Sequence, residues 1–551
     1  MELSEAIERS RVDNVFLRKG PRQPQSGSLA LIGHHLIFSP SNAKKKKTCE
    51  ELWLLHRAVD LVSVEPKNRE NPLKGGFLTL KCKNFMVCEF EMDDFEDCIA
   101  VARSIQRLSN LDNLQHEYPF YYQCPFTILD DGWTAFDAEQ EFAKLMVRSS
   151  DKWRLSNVNK DYRVCPSYPE MVVVPKGIGD DFLRISATFR SGGRFPVLCY
   201  YHLETKLIVH CGQPLIGPTN RRCKEDEIII NSLLPSSSKG VIVDVRSKQI
   251  GQGAKAKGGG CEPQVYYSQW KYIHSAVPRI REIRDSLTKL VEVCNEPIQS
   301  MDRWLSKINA SGWMQAVADA LTAAATIAQC VYCEGSSETP VVVHGSNGTD
   351  TTLLATSVSQ ILLDSDARTT RGFEALIERE WISSGHPFSI RCAHSAFSTV
   401  SMDESPVFLL FLDCVCNRKF CLCISIYNTM FILRNNEKEK ARLNIKKCTV
   451  SLWSYVNNPE ILRSFVNVLY EPNDAVLWPS VAPQSLTFWD RLFLRWTRDW
   501  KEYDEQRQAV MKWKLREKAN QSKYLALKRQ FVELTKESNE KTKVGVIDSI
   551  R

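Results

Sequence analysis

A strand, turn and helix pattern at residues 341–354 narrows the possible folds of this chain more than any other segment. Residues 341–344 are three valines and a histidine, residues 345–352 are small or polar, and two leucines then resume an apolar pattern. A strand that leads through a glycine-containing turn into a helix is typical of an α/β sheet. The backbone N–H groups of such a turn point inward at the positive end of the helix dipole. The segment therefore predicts an anion cradle between the end of a strand and the start of a helix.

The first 110 residues predict a small antiparallel sheet followed by one helix. Short apolar runs with a period of two cover residues 27–38, 52–64 and 77–90. From Phe95 onward the apolar residues recur at helical spacing behind an acidic first turn. Several strands followed by one amphipathic helix is the order of a pleckstrin-homology-like barrel. We expect this domain to cover residues 4–110.

Four consecutive lysines, Lys44, Lys45, Lys46 and Lys47, lie in a predicted connection between strands of this barrel. They form either a solvated loop or a contact with anionic lipid headgroups. Near a charged membrane surface each lysine contributes about 1 kcal/mol of attraction.

The last part of the chain predicts one long basic helix. Neither proline nor glycine occurs between Pro483 and Gly545. Residues 501–543 contain twelve basic and seven acidic residues, so 12 − 7 gives +5 of the total net charge of +7. The other 508 residues carry only +2, and we therefore expect no nucleic-acid partner.

This helix also carries a heptad pattern, which predicts a coiled coil over residues 508–542. Six of the eight seam positions are apolar, at alternating spacings of three and four. The two polar seam residues are of the kind that sets register or partner choice. A helix folded back onto its own domain is the alternative, and the positive charge fits either an acidic partner helix or a membrane surface. The seam consists of Val510, Trp513, Glu517, Asn520, Tyr524, Leu527, Phe531 and Leu534.

The 19 cysteines indicate reduced thiols in the cytoplasm rather than disulfides. Their number is odd, their spacings are scattered, and no apolar signal segment begins the chain. No pair of CxxC motifs has the spacing of a zinc site, so we expect no metal and no cofactor. The most apolar uncharged stretches, residues 320–333 and 420–433, are too short to span a bilayer. Any membrane contact is therefore expected to be peripheral.

Several longer segments follow one another in an order that suggests a known family. They are residues 153–159, 165–169, 189–198, 258–262 and 370–381. In these segments the sequence resembles the myotubularin family of phosphoinositide 3-phosphatases. The resemblance implies an α+β multidomain protein with three parts. These are an N-terminal PH-like (GRAM) β-barrel, a large α/β cysteine-phosphatase-like domain over residues 120–500, and the C-terminal coiled-coil helix.

The resemblance also implies how the loop after the strand at 341–344 should read. In cysteine-dependent phosphatases a thiolate begins the loop and an arginine closes it, in the pattern C-x5-R. The family's loop reads C-S-D-G-W-D-R-T. Here Gly345 stands in place of the nucleophile, Asn347 in place of an acid, Thr349 in place of the tryptophan and Thr351 in place of the arginine. The degenerate loop comprises His344, Gly345, Ser346, Asn347, Gly348, Thr349, Asp350, Thr351 and Thr352.

No side chain of this loop replaces the missing groups in an evident way. Ser346 would need a base, for which His344 is the nearby candidate, although in the family a histidine at this place supports the loop. Asp350 matches the position proposed as the family's general acid, but it has no phosphoenzyme to serve. Without nucleophile and arginine, we expect no phosphatase activity.

The resemblance then implies a catalytically inactive adaptor. Such members pair through coiled coils with active myotubularin-related phosphatases, here the subgroup numbered six, seven and eight, and raise their activity, stability or membrane targeting. A homodimer is possible. We expect an influence on phosphatidylinositol 3-phosphate and 3,5-bisphosphate turnover in endosomal trafficking and autophagy, with peripheral association to endosome or endoplasmic reticulum. The alternatives are a phosphoinositide-binding membrane module and an active phosphatase with a displaced nucleophile.

Residues 416–447 depart from the family pattern. Four cysteines lie within residues 414–423, unlike the rest of the chain. The segment is either a real divergence or a local splice or gene-model alteration, and both put its local order in doubt.

Overall fold

The computed structural model describes the chain except for a set of short segments. Those segments are residues 1–2, 21–22, 42–50, 69–70, 72–73, 112, 147–150, 203–205, 236–237, 297–299, 333–338, 392–395, 398–402, 417–441, 466–472, 499 and 549–551. The four lysines at 44–47, and most of the divergent segment after Cys416, lie outside the described residues. The chain divides into two compact units, one of residues 1–467 and 471–497 and one of residues 468–470 and 498–551.

The N-terminal part of the first unit is a curled antiparallel sheet with the strand order β4-β3-β2-β1-β7-β6-β5. Its strands are β1 (Arg11–Lys19), β2 (Gln25–Leu31), β3 (His35–Pro40), β4 (Leu52–Leu55), β5 (Val59–Pro66), β6 (Gly76–Cys82) and β7 (Val87–Met92). The edge strands β4 and β5 are joined by a single 3-residue turn of helix, His56–Ala58. So short a link between the two edges requires the sheet to curl on itself.

Helix α1 (Phe95–Ser109) packs against β5 and β6 and completes the apolar core of this sheet. The side chain of Asp94 accepts a hydrogen bond from the Glu96 amide and caps the helix. Cys98, Val101 and Ile105 lie on the buried face of α1. The predicted order of strands followed by one amphipathic helix is therefore confirmed.

The sequence pattern did not reveal β1, and the structure shows why. The register between β1 and β2 shifts between Val12 and Val15, and Asn14 has a φ of 59°. A bulge of this kind inserts a residue and breaks the period of two on which strand prediction depends. Val12, Val15 and Leu17 are nevertheless buried.

The larger part of the first unit contains a mixed sheet with the strand order β10-β11-β14-β12-β13. Strands β11, β14, β12 and β13 are parallel to their neighbours, and β10 pairs with β11 in the antiparallel sense. A separate pair, β8 and β9, lies beside β10. The strands are β8 (Trp153–Ser156), β9 (Val172–Pro175), β10 (Val197–His202), β11 (Lys206–Cys211), β12 (Gly240–Asp244), β13 (Trp270–His274) and β14 (Val341–His344).

Helices surround this sheet, and α8 and α9 pack on each other and on β11 and β14. The helices up to the divergent segment are α2 (Ala138–Met146), α3 (Asp180–Phe189), α4 (Lys224–Asn231), α5 (Lys248–Ala254), α6 (Ile280–Asn295), α7 (Met301–Ser311), α8 (Trp313–Tyr332), α9 (Thr351–Leu363), α10 (Thr370–Ile377), α11 (Phe388–Arg391) and α12 (Val407–Cys416). The mixed α+β fold class predicted from the sequence is confirmed.

Helix α8 is long and apolar enough to cross a membrane by length and composition. It exceeds the apolar stretches counted in the sequence because it includes Asp319. In the structure its residues Val317, Leu321 and Ile327 are buried, and the helix packs against α6, α7, α9 and α12. The core helix of a folded domain meets the same criteria, so this helix is weak evidence for a membrane span.

Short helices follow, and the chain then returns to the N-terminal sheet. Trp496 packs against the core of that sheet, and Arg495 and Trp496 both donate hydrogen bonds to the carbonyl oxygen of Asn84 at 2.8 Å. The second unit consists mainly of one long helix, as predicted for the end of the chain. These last helices are α13 (Ile445–Cys448), α14 (Leu452–Val456), α15 (Pro459–Phe465), α16 (Asp490–Phe493) and α17 (Lys501–Asp548).

Candidate functional site

The candidate site lies at the carboxyl edge of the mixed sheet. The last residues of the four parallel strands, Cys211, His344, Asp244 and His274, are aligned by the strand register. The carboxyl ends of parallel strands are where open α/β sheets place their ligands. The loop 345–350 connects β14, in the middle of the sheet, to the N-terminus of α9.

His344 is fully buried and holds the base of this loop. Its Nε2 atom lies 2.9 Å from a Glu262 carboxylate oxygen and 3.2 Å from the Tyr272 hydroxyl, and its Nδ1 atom lies 3.3 Å from the Gly345 carbonyl oxygen. Burial alone would lower the pKa of His344, but the Glu262 and Asp244 carboxylates raise it above its ordinary value. The ring is therefore engaged on both nitrogens and does not serve Ser346 as a base.

Two features of the loop backbone bear on the predicted anion cradle. Gly348 has a φ of +77°, and a Cβ atom there would lie 2.7 Å from the Cys211 carbonyl oxygen. Within the described part of the chain, no amide of Ser346–Asp350 donates to a protein acceptor. These N–H groups stand at the N-terminus of the 13-residue helix α9, where the helix dipole is positive. The anion cradle predicted from the strand, turn and helix pattern stays a prediction, with these amides as its candidate donors.

A buried charge network supports the sheet edge beneath the loop. Arg190 donates two hydrogen bonds to Asp226, at 2.8 and 2.6 Å, and one to Glu262 at 2.6 Å. All three side chains are almost fully buried. Although burial raises the pKa of Glu262, His344 and Arg190 hold it well below the ordinary value. Both carboxylates are therefore compensated by the buried Arg190 guanidinium.

The two other arginines near the loop differ from each other. Arg246 forms two hydrogen bonds to Asp244, at 2.9 and 2.8 Å, and donates to the Gly260 carbonyl oxygen. Arg194 is fully buried, and its Nη1 donates to the Ser384 carbonyl oxygen at 2.8 Å. The Nε and Nη2 atoms of Arg194 have no partner, and a Cβ atom on Gly348 would lie 3.0 Å from Nε. Arg194 thus places two nitrogen atoms without hydrogen-bond partners beside the loop.

Asp350, the residue at the position of the family's general acid, is held in an ion pair. Arg391 donates to both of its oxygens, at 2.9 and 3.1 Å, and His386 Nδ1 lies 3.3 Å away. Burial would raise the pKa of Asp350, but His386 and Arg391 hold it well below its ordinary range. At physiological pH the group is a carboxylate with no proton to give.

Two thiols lie near the loop, and neither has the character of a nucleophile. Burial raises the pKa of Cys211 to about 12, although Arg190 is within reach of its sulfur at 3.5 Å. Burial also raises the pKa of Cys261, whose sulfur lies 3.7 Å from an Asp244 oxygen. A thiol must be ionised to attack phosphorus, and both of these are protonated at neutral pH.

The structure places the predicted site residues in two separate regions. His344 ends β14, residues 345–350 form the loop, and Thr351 and Thr352 begin α9. The eight seam residues lie along α17 in the second unit, and all of them are exposed. The sequence interpretation missed the network of Arg190, Asp226 and Glu262. The signal that could have indicated this network is the occurrence of arginines and acids within or beside apolar or glycine-rich segments.

Sequence spacing also missed one cluster of possible metal ligands. Among the described residues, Cys199, His210 and Glu380 are buried and their ligand atoms lie within 4.8 Å of one another. Burial raises the pKa of Cys199 and of Glu380 and lowers that of His210. The shifts favour an uncharged group at each position, which is the opposite of what a metal ion requires of cysteine and glutamate.

Two family models match this chain. A model described as "Myotubularin-like phosphatase domain" matches residues 117–432, and one described as "MTMR6-9, GRAM domain" matches residues 11–109. The first alone covers more than half of the 551 residues. The chain belongs to the myotubularin family.

Individual members of the family align with the chain over nearly its whole length. Myotubularin-related protein 9 of Caenorhabditis elegans is 52% identical over 564 residues, covering 98% of this chain and 99% of the relative. Myotubularin-related protein 9 of Homo sapiens is 45% identical with the same coverage of both chains. Phosphatidylinositol-3,5-bisphosphate 3-phosphatase MTMR8 of Gallus gallus is 33% identical over 521 residues, covering 90% of this chain and 80% of the relative.

These matches confirm the resemblance that the ordered segments suggested. The GRAM match ends at residue 109, where α1 ends, and the phosphatase match includes the whole of β14, its loop and α9. The loop 345–350 therefore lies inside the region that matches the phosphatase model.

Proposed function

We propose that this myotubularin is a pseudophosphatase that acts as an adaptor for active members of its family. It has no nucleophile, and it pairs through α17 with active myotubularin-related phosphatases, for which the subgroup six, seven and eight is our first choice. Pairing raises the activity, stability or membrane targeting of the partner. The protein thereby influences phosphatidylinositol 3-phosphate and 3,5-bisphosphate turnover in endosomal trafficking and autophagy.

The observation that carries the loss of activity is Gly345, at the end of β14. The position has no side chain, and a Cβ atom there would already lie 2.9 Å from Thr352 Oγ1 and 3.0 Å from Val245 Cγ2. Cys211 and Cys261 are protonated thiols, and Ser346 has no base. Covalent catalysis therefore has no starting atom in the described part of the site.

The groups that would stabilise the transition state are also absent or occupied. Thr351 has no guanidinium to bind two oxygens of a phosphoryl group, and Arg190 and Arg246 are held by carboxylates. Asp350 is an ion-paired carboxylate rather than an acid. Each of these losses is typically worth several kcal/mol of activation free energy.

The exposed apolar seam of α17 supports the adaptor role. Its six apolar members are between 51% and 72% exposed. Apolar side chains at alternating spacings of three and four bury themselves against a second helix with the same spacing. Burying such side chains is the main source of free energy for association.

Loss of activity is tested with the purified protein alone. Phosphatidylinositol 3-phosphate in vesicles and soluble inositol 1,3-bisphosphate are the substrates, and phosphate release is measured. We expect release equal to the control without protein. A reproducible rate above that control would contradict the proposal. Loss of that rate when Cys211 and Cys261 are both changed to serine would identify one of these thiols as the nucleophile, and its retention would point to a different group.

Pairing is tested by co-purification of the full chain with an active myotubularin of subgroup six, seven or eight. Changing Leu527 and Leu534 to aspartate should abolish the complex, because each would place a charge inside the seam. The matched control changes Leu515 and Leu525 to aspartate as well. These two residues lie on α17 outside the seam and are 41% and 54% exposed. A complex that survives the seam change, or that is lost equally in the control, would move the interface elsewhere.

One observation favours weak anion binding by the loop as a second function. The unpartnered Nε and Nη2 atoms of Arg194 lie against a loop whose amides have no protein acceptor. We propose that the tetralysine at 44–47 adds attraction to anionic endosomal or endoplasmic reticulum membranes. An inositol 1,3-bisphosphate titration followed on the loop amides tests the first point. Liposome binding with all four lysines changed to alanine tests the second, and unchanged binding would remove it.

A further inference from the structure

The positions that flank the seam of α17 carry positive charge and no negative charge over two heptads. With Val510 as an a position, the e and g positions are those that lie beside the a/d seam and face the flanks of a partner helix. Every residue at these positions from 514 to 530 is exposed. The e positions are Lys514, Gln521 and Lys528, and the g positions are Arg516, Lys523 and Gln530.

Two copies of this helix would repel each other in either orientation. In a parallel pair in register, each g position faces the e position of the next heptad, so Lys523 meets Lys528 of the other copy twice. In an antiparallel pair, e faces e and g faces g, and every charged member of these rows between residues 514 and 530 is basic. Like charges at such positions destabilise the pair.

The seam itself adds a second obstacle to a parallel pair of copies. Glu517 occupies an a position and is exposed on the isolated helix. In a parallel pair in register the two Glu517 carboxylates would face each other inside the seam. Burying a charge without an opposite partner costs much more than an exposed pair contributes.

We propose that these flanks select the partner: α17 pairs with a helix that has acidic e and g positions, and self-pairing is disfavoured. The inference rests on the proposed function and specifies the chemistry of its partner. The complementary helix carries glutamate or aspartate opposite Lys514, Lys523 and Lys528. At the seam position that faces Glu517, the complementary helix carries a lysine, an arginine, an asparagine or a glutamine. The basic excess on α17 is therefore a means of choosing one partner over another copy of the same chain.

The test uses the full chain and a full-length variant with reversed flanks, K523E/K528E. Each protein alone, and a 1:1 mixture, is followed by sedimentation equilibrium over a range of concentrations. The mixture turns both Lys523–Lys528 repulsions of a parallel pair into attractions. We expect the mixed pair to form about tenfold more tightly than wild-type self-pairs, from the usual size of exposed helix charge pairs. High salt should remove most of the gain.

The matched control is K512E/R529E, which changes the net charge equally at exposed positions of α17 outside the seam and its flanks. Its mixture with wild type should pair no more tightly than wild type alone. Wild-type self-pairs as tight as the K523E/K528E mixture would overturn the inference, and so would an equal gain in the control.

Two further results separate this inference from its premise. If neither protein nor the mixture pairs, the inference fails, and co-purification with an active phosphatase still decides the proposed function independently. The second result uses phosphatidylcholine vesicles that contain phosphatidylserine. If they bind wild type but not K523E/K528E, and the mixture pairs no more tightly than wild type alone, the flanks contact a membrane surface. The inference is then wrong.

Discussion

The loop after β14 and the seam of α17 differ in whether their side chains find partners within the chain. Around the loop, ion pairs of 2.6–2.9 Å join Arg190, Arg246 and Arg391 to buried carboxylates. On α17, six apolar seam residues are more than half exposed. The carboxylates of the first region are paired inside their own unit, whereas the apolar seam of α17 is exposed. We propose that the loop serves as a structural element in this protein and that α17 is the surface that takes a partner.

The largest expected effect tests whether the loop region is held by its internal charges. Arg190→Ala leaves the buried Asp226 and Glu262 carboxylates without their cation, and we expect unfolding free energy to fall by about 3–5 kcal/mol. Urea denaturation measures it. The control is Arg184→Ala on the same stretch of chain, where the ion pair with Asp181 is exposed and the expected loss is below about 0.5 kcal/mol. Equal losses of unfolding free energy in the two variants would contradict the claim that buried charges hold the loop region.

The next effect concerns Glu374, a buried carboxylate of the first unit whose Oε2 atom accepts one hydrogen bond, from Asn457 at 3.1 Å. Burial raises the pKa of Glu374 to about 7, from an ordinary 4.5, and its Oε1 atom has no partner. The folded state is therefore penalised as pH rises from 4.5 to 7, and the whole penalty is present above pH 7. Glu374→Gln removes that penalty.

We expect Glu374→Gln to raise the unfolding free energy by about 1–3 kcal/mol at about pH 8 and to leave it nearly unchanged at about pH 4. Urea denaturation at both pH values measures the difference. Glu262→Gln is the contrasting variant, because the pKa of Glu262 is lowered and its carboxylate stabilises the fold at neutral pH. A destabilising effect of Glu374→Gln at the higher pH would show that the hydrogen bond from Asn457 and the surrounding charges outweigh the cost of burying this carboxylate.

A smaller effect is expected at the start of α9. Thr352 is buried and its Oγ1 atom has no hydrogen-bond partner in the structure. Thr352→Val keeps the shape and removes the unsatisfied hydroxyl, so we expect stability to rise by about 1 kcal/mol. Thermal unfolding measures it, with Thr356→Val as control, since the Thr356 hydroxyl donates to the Thr352 carbonyl oxygen at 3.1 Å. A loss of stability in Thr352→Val would mean that the loop end uses this hydroxyl.

The smallest effect is expected from the seam changes on the stability of the first unit. Leu527→Asp with Leu534→Asp removes side chains that are each 63% exposed, so urea unfolding of the first unit should change by less than about 0.5 kcal/mol. The same variant should lose partner binding by at least about a hundredfold. A large loss of stability would place the seam against its own chain rather than against a partner.

Sequence reasoning reached the fold class where the periodicity was regular and failed where it was interrupted. The strands at 27–38 and 77–90 and the helix from Phe95 were predicted because their apolar periods were intact. Strand β1 was not, because the bulge at Asn14 breaks its period. The loop 345–350 was located from its own residues together with the family resemblance.

The interactions that hold the loop could not be predicted in this way. Arg190 and Glu262 are 72 positions apart, and His344 is 82 positions from Glu262. Only the folded sheet brings them together, and a single sequence contains no pattern that pairs them. The seam of α17 is the opposite case, because heptad spacing is local and is read directly from the sequence.

The most direct test of the account measures the lipid phosphatase activity of an active myotubularin of subgroup six, seven or eight under three conditions. The partner is assayed alone, with the full chain, and with the chain ended after residue 500. We predict that the full chain releases no phosphate by itself and raises the partner's rate, while the shortened chain leaves that rate unchanged. Phosphate release by the chain alone, or equal stimulation by the shortened chain, would contradict the account.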